Sequence, residues 1–261
     1  MMNVSIYSTL FNPEKELFDV AAAIRNWEEY ADEIVIATVK GQTTKVKKYL
    51  PKGKKIKIVV DKEISLDDPL YDGKLKNCAL QACSNEIVIQ QDMDERLGGH
   101  ISEWQSLISQ LEIFNRKSAV MIPVIDLFMD LDHYKSVGGK WYLHKKQGCF
   151  RGAVNFAKRE DGTVDTDRSD SCELIDKSGA LVEYFINQEF FRKGWFDPEM
   201  PHVIHLGYLD LDKRAKHNAD HWENSWSKLN GKKVNVAKTV EELKDISPTP
   251  KKHLLEKEWW I

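Results

Sequence analysis

The 261-residue sequence predicts an α/β fold, with a mostly parallel β-sheet flanked by helices and a helical extension at the C-terminus. Two observations predict this fold. Short β-branched runs alternate with helical patterns through the first hundred residues, which is typical of parallel sheets covered by helices. Two aspartates then follow the fourth such run directly, at the edge where open parallel sheets bind their ligands.

The first half is predicted to alternate strictly between strands and helices. Strands are predicted over 4–7, 33–38, 55–60 and 86–90, with helices starting at Asn12-Pro13 and covering 43–50 and 73–83. If the strand order is 3-2-1-4, the switch point lies between the first and fourth strands. The loop 8–12 would then face Asp92-Met93-Asp94.

The second half is predicted to be less regular. A helix is predicted over 101–114, and a strand over 119–128 in which Pro123 indicates an edge or a bulge. Further strands are predicted over 141–144, 148–156 and 201–205. A long helix that stops at Gly231 follows them.

The composition excludes several classes of protein. A net charge of −3 gives no overall attraction to nucleic acid. The four cysteines lack the CxxC spacing of zinc sites and suit reduced thiols. Because the N-terminus lacks a signal-peptide pattern and no apolar run is long enough to span a bilayer, we expect a cytoplasmic protein without a transmembrane segment.

Asp92 and Asp94 are the predicted metal ligands. Two carboxylates one residue apart, on a turn after a buried strand, can reach one divalent cation, and Mg²⁺ and Mn²⁺ prefer oxygen ligands. The spacing alone is weak evidence, because the chain holds three further pairs of this kind, at positions 130/132, 165/167 and 210/212. The buried strand and the helix that precede Asp92 favour the first pair.

Residues 72–97 (DGKLKNCALQACSNEIVIQQDMDERL) resemble the core of family 2-type glycosyltransferases with the GT-A fold. Those proteins show a glycine and a basic residue ahead of an asparagine at a helix start, an Ala/Leu-rich helix, and a strand that runs into an acidic D-x-D-E segment. The matching residues are Gly73, Lys74, Asn77, Ala79, Leu80, Asp92, Asp94 and Glu95.

The resemblance implies a GT-A-like, Rossmann-like fold and a hexosyltransferase-type enzyme. Such an enzyme uses Mn²⁺ or Mg²⁺ to move a sugar from a nucleotide-diphosphate donor to a saccharide or other hydroxyl acceptor, with inversion as the expected outcome. It divides the chain into a nucleotide-sugar-binding half (1–100), an acceptor-binding half (101–208) and the C-terminal extension (209–261).

The resemblance also assigns roles to residues. It implies that Asp94 binds the metal directly, that Asp92 contacts the ribose or the metal, and that His205 completes the metal site. It places the nucleotide over Ser8, Thr9 and Leu10, near Lys74, Asn77 and Gln91. The aspartate that usually binds the base is missing after the second strand, where this chain reads Thr38-Val39-Lys40, and Asp61 is its expected substitute.

The general base and the overall activity stay open at this point. An inverting transferase needs a carboxylate to deprotonate its acceptor, and Asp170 and Glu173 are the candidates, with surface roles equally plausible for each. One alternative activity is sugar nucleotidyl transfer, although the loop after the first strand (STLFNPEKE) lacks the glycines usual in that class. The other is a non-catalytic carbohydrate-binding protein of the same fold.

Overall fold

The computed structural model describes residues 3–16, 18–53, 55–65, 71–113, 118–152, 173–178, 182–186, 199–213 and 249–250. The helices are α1 (Val20–Tyr30), α2 (Thr43–Tyr49), α3 (Tyr71–Ala82) and α4 (Ile101–Ile113), and a short 3-10 turn covers Pro13–Lys15. The strands are β1 (Val4–Thr9), β2 (Glu33–Val39), β3 (Ile56–Asp61), β4 (Ile87–Gln90), β5 (Glu95–Gly98), β6 (Ser118–Phe128), β7 (His133–Lys145), β8 (Phe150–Gly152), β9 (Glu173–Ile175), β10 (Glu183–Ile186), β11 (His202–Tyr208) and β12 (Thr249–Pro250).

The first half forms a parallel sheet, as predicted, and its order is β3-β2-β1-β4, the one that was assumed for the switch point. Alternate residues of its strands point to opposite faces, and both faces are covered. Ile6 and Ile36 pack with Trp27 of α1 on one face, whereas Tyr7 and Val35 belong to the cluster that contains α3 on the other. This two-sided burial explains why the strands read as nearly continuous apolar runs.

The second half extends the same sheet through β7, β6, β11 and β5. β7 is antiparallel to both β4 and β6, β11 is parallel to β6, and β5 is antiparallel to β11. The protein therefore has an α/β fold of the GT-A-like, Rossmann-like kind, with a mixed sheet whose first half is entirely parallel and whose second half contains both parallel and antiparallel pairs. The predicted C-terminal helical extension lies almost entirely outside the described residues.

Pro123 lies inside β6, which has partners on both sides. On one side the partner changes along the strand: β10 pairs with residues 118–121, and β11 pairs from Val124 onwards. On the other side the pairing with β7 shifts register between Val120 and Ile122. An interrupted ladder tolerates a residue that has no N–H to donate, so the predicted bulge is confirmed.

The sequence did not predict β5, a four-residue strand at the end of the sheet. Its backbone is held by side chains of α1 as well as by β11. Asn26 accepts from the Leu97 N–H at 2.7 Å and donates to the Leu97 carbonyl at 3.0 Å, and the Trp27 indole donates to the Glu95 carbonyl at 3.3 Å. Side chains of α1 satisfy the backbone groups of β5. A strand this short can therefore form without a long alternating pattern of apolar residues in its sequence.

None of the described helices is both long enough and apolar enough to cross a bilayer.

Gly99, at the end of β5, is expected to tolerate no side chain. Its φ of +95° is unfavourable for other residues, and an added Cβ would lie 2.4 Å from the Met200 carbonyl oxygen. Gly41 is the matched control, because its φ of +88° is similar and an added Cβ there would meet nothing within 4 Å. In urea unfolding, Gly41→Ala should cost about 1 kcal/mol, and Gly99→Ala should cost clearly more. If both variants lose the same free energy of unfolding, β5 is free to move away from residues 199–200.

Candidate functional site

A tight turn over residues 92–95 links β4 to β5 at the carboxyl edge of the parallel sheet. The Glu95 N–H donates to the Asp92 carbonyl at 3.0 Å. In return the Asp92 N–H donates to the Glu95 carboxylate at 2.8 Å, and Glu95 is only 1% exposed. The glutamate of the D-x-D-E segment thus closes the turn, which fixes the backbone that carries both aspartates.

Two further side chains anchor this turn to the protein. Met93 points away from the aspartates into the core, where it is 5% exposed. Arg96 donates to the carbonyls of Met93 at 3.0 Å and Glu95 at 2.8 Å. Burial lowers the pKa of Arg96, while the negative charge of Asp94 acts against this shift. Asp94 therefore stands on a turn closed by hydrogen bonds, near a half-buried guanidinium.

The pairing of β11 places His205 between two carboxylates. His205 is the direct partner of Asp126 on β6 and of Glu95 on β5, and the Leu206 N–H donates to the Asp94 carbonyl at 2.8 Å. The imidazole Nε2 lies 3.2 Å from Asp94 Oδ2, and Nδ1 lies 2.8 Å from Asp126 Oδ1. The structure thus brings together Asp94 and His205, two residues that are 111 positions apart in the chain.

This geometry fits two ligands of a divalent cation. Adjacent ligands of an octahedral ion with bonds of about 2.1 Å lie about 3 Å apart, and Asp94 Oδ2 and His205 Nε2 are 3.2 Å apart. Asp126 contacts the opposite ring nitrogen, so it does not converge on the same point. Accordingly, no group of three His, Cys, Asp or Glu side chains among the described residues is arranged to hold a metal ion by itself.

Asp92 is engaged differently from Asp94. Its Oδ1 accepts from Gln90 at 2.9 Å and forms an ion pair with Lys76 at 3.2 Å. The Lys76 side chain is only 10% exposed, and its ammonium also pairs with Asp72 at 3.0 Å. Lys74, which the resemblance places near the nucleotide, is an exposed residue of the same helix, and its role stays a prediction. Lys76 was not singled out from the sequence.

Glu16 is a carboxylate of this region that the sequence did not reveal. It follows the 3-10 turn after β1 and is partly buried. Burial, and then the negative charges of Asp94 and Asp92, raises the pKa of Glu16 from 4.5 to about 7. The loop after β1 therefore does face the 92–95 turn, as the assumed strand order required.

Several predicted nucleotide-binding residues lie at the ends of β1 and β4. Ser8 and Gln91 are fully buried, and neither Ser8 Oγ nor Gln91 Oε1 has a hydrogen-bond partner among the described residues. Thr38 Oγ1, at the end of β2, is equally buried and unpaired there. Thr9 is partly exposed, whereas the Leu10 side chain is part of the apolar core. These strand ends thus present neutral polar atoms.

The remaining predicted site residues lie farther from the 92–95 turn or outside the residues that the structure describes. Asp61 ends β3, two strands from β1, and its carboxylate accepts from the N–H groups of Glu63 and Ile64. Asn77 is a partly buried residue of α3. Asp170 lies outside the described residues. Glu173 begins β9, with its backbone alone described.

No protein-family model and no curated protein sequence matches the chain. Solved structures do show some similarity. S. aureus TarS 1–349 in complex with UDP is 16% identical over 50% of this chain and 40% of that chain, with a TM-score of 0.33. Another structure of S. aureus TarS 1–349 is 10% identical over 92% of this chain and 68% of that chain, with a TM-score of 0.40.

A third similar structure is that of a putative glucose-1-phosphate thymidylyltransferase from Bacillus anthracis. It is 8% identical over 55% of this chain and 72% of that chain, with a TM-score of 0.37. The chain spans less than half the length of the first TarS structure, and all three similarities are weak in both sequence and superposition.

Glu16 should make the metal-free protein less stable as the pH rises. Its pKa of about 7 exceeds the ordinary 4.5, so between these values the native state binds more protons than the unfolded chain. In urea unfolding with a chelator present, wild-type stability should fall across this interval. Glu16→Gln should remove about 2 kcal/mol of that fall.

Glu14→Gln, in the same loop but at an exposed position, should leave the pH profile unchanged. If the free energies of unfolding of wild type and Glu16→Gln change with pH in the same way, the raised pKa of Glu16 is contradicted.

Proposed function

We propose that the chain is a metal-dependent glycosyltransferase that moves a sugar from a nucleotide-diphosphate donor to a hydroxyl acceptor. The observation that carries the proposal is the approach of His205 Nε2 to Asp94 Oδ2, 3.2 Å apart at the carboxyl edge of the sheet. Open parallel sheets bind ligands at this edge. The resemblance of residues 72–97 to family 2-type glycosyltransferases supports the type of reaction.

Asp94 and His205 are the residues that would hold Mn²⁺ or Mg²⁺. When bound, the ion would neutralise the charge that develops on the diphosphate leaving group. Because the described side chains supply two ligands, the others must come from water and from phosphate oxygens, as is common for Mg²⁺. A site that is complete only with a diphosphate suits an enzyme whose donor carries one.

The other residues of the edge would orient the donor. Lys76 and Gln90 fix the Asp92 carboxylate at the edge of the sheet, where it would accept from a ribose hydroxyl of the donor. Ser8 Oγ and Thr38 Oγ1 are buried without partners among the described residues, and such atoms cost about 1–3 kcal/mol each until they are satisfied. Polar groups of a nucleoside would satisfy them.

Inversion requires one more group, a general base for the acceptor hydroxyl. Asp170 and Glu173 remain our candidates, and the acceptor would bind against the second half of the sheet. A carboxylate there would take the acceptor proton while the acceptor oxygen attacks the anomeric carbon and the nucleoside diphosphate departs.

Asp94→Asn should abolish metal-dependent turnover. The donor is identified first, by thermal shift of the full chain with UDP-, GDP- and TDP-linked hexoses with and without Mn²⁺, since a bound ligand raises stability by mass action. Release of nucleoside diphosphate from that donor should then fall by at least about a hundredfold in Asp94→Asn, because a metal supplies several kcal/mol of charge stabilisation.

The control for this variant is Asp130→Asn, in another D-x-D pair, where Asp130 contacts His133 on the surface. It should leave turnover unchanged. Full turnover in Asp94→Asn would refute the metal assignment. Pyrophosphate release from a nucleoside triphosphate and a sugar phosphate would instead identify a nucleotidyltransferase. Donor binding without any turnover would identify a binding protein.

A further inference from the structure

We infer that Asp126 is a positioning residue that holds the His205 ring in the one tautomer able to bind a metal beside Asp94. The inference rests on the proposed metal site and deepens it. Asp126 is not among the residues to which the resemblance assigns a role. The case for Asp126 rests on geometry within the second half of the sheet.

The hydrogen bond from His205 to Asp126 determines where the ring proton lies. An ionised carboxylate only accepts, so the nitrogen 2.8 Å from Asp126 Oδ1 must be the donor, and this nitrogen is Nδ1. In the neutral imidazole the lone pair is then on Nε2. Nε2 is the nitrogen that lies 3.2 Å from Asp94 Oδ2.

This arrangement calls for a cation between Nε2 and Asp94. With Nδ1 protonated, a neutral His205 presents an acceptor to the acceptor oxygen of Asp94, and two acceptors at 3.2 Å do not attract each other. A proton or a metal ion between them turns the repulsion into attraction. Metal-bound histidines typically donate their second nitrogen to a carboxylate in this way.

The protein also restrains the ring from other directions. His205 and Asp126 are direct cross-strand partners, and their side chains are 15% and 21% exposed. The Tyr208 ring packs edge-on against the imidazole, with centroids 5.4 Å apart and an interplanar angle of 88°. The ring is thus held before any ion arrives, which lowers the entropic cost of binding one.

The sequence of β6 shows that packing does not account for Asp126. The strand reads SAVMIPVIDLF, and Asp126 is its one charged residue. The neighbouring side chains Ile125 and Leu127 are fully buried. A partly buried carboxylate in such a strand is costly unless it is hydrogen-bonded, and the hydrogen bond from His205 compensates for that cost.

The test is a double-mutant cycle on Mn²⁺ affinity, measured by calorimetry and by the EPR signal of free Mn²⁺ in the full chain. Asp126→Asn should weaken Mn²⁺ binding about ten- to a hundredfold, as expected for a carboxylate that orients a ligand. His205→Gln should weaken it as well. Asp126→Asn should then add little loss in the His205→Gln background, because Asp126 acts through His205.

Asp130→Asn is the matched control, because Asp130 forms the same kind of contact, 2.8 Å to the Nδ1 of His133, away from the site. It should leave Mn²⁺ affinity unchanged. Asp126→Glu keeps a carboxylate, which only accepts, whereas the asparagine amide can also donate to Nδ1 and favour the wrong tautomer. Asp126→Glu should therefore recover part of the affinity, which separates the positioning role from a general loss of structure. If Asp126→Asn fails to fold, Asp126→Ser takes its place in the cycle.

The outcomes separate the two levels of the proposal. Absence of Mn²⁺ binding by the wild type, both alone and with UDP, GDP or TDP present, would refute the metal site itself. Binding by the wild type with equal affinity in Asp126→Asn would overturn the role of Asp126 alone. Additive losses in the double variant would also overturn it, because Asp126 would then act independently of His205.

Discussion

The site depends on β11, which lies between β5 and β6 and pairs with both strands. This double pairing brings His205 against Asp126 on one side and against the 92–95 turn on the other. β5 can occupy its position at the end of the sheet because Asn26 and Trp27 of α1 hold its backbone. Residues from three distant stretches of the chain thereby share one edge of the sheet, although their side chains alone would repel one another.

The carboxylates at this edge of the sheet repel one another, and basic side chains neutralise some of them more than others. Lys76 compensates Asp72 and Asp92, and Arg96 lies beside Asp94. Glu16 is left close enough to both aspartates that their charges help to raise its pKa. The proposed cation would offset the excess of carboxylates in this region.

Much of the fold could be predicted from the sequence, because periodic apolar patterns determine buried strands and amphipathic helices locally. The alternation of strands and helices and the position of Asp94 directly after β4 followed from those patterns, whereas the order β3-β2-β1-β4 had to be assumed. β5 could not be predicted, since α1 side chains support it. Asp126, Lys76 and Glu16 were missed because pairings between distant segments place them, and no local pattern marks such pairings. Asp170 and Glu173 stay predictions for the general base.

The most direct test of the central claim is pulsed EPR of the full chain loaded with Mn²⁺ and a nucleoside diphosphate. If His205 is a ligand, the electron spin should couple to the directly bound imidazole ¹⁴N, and His205→Gln should abolish this coupling. A Mn²⁺ complex without ¹⁴N coupling, or with coupling that persists in His205→Gln, would contradict the metal site described for Asp94 and His205.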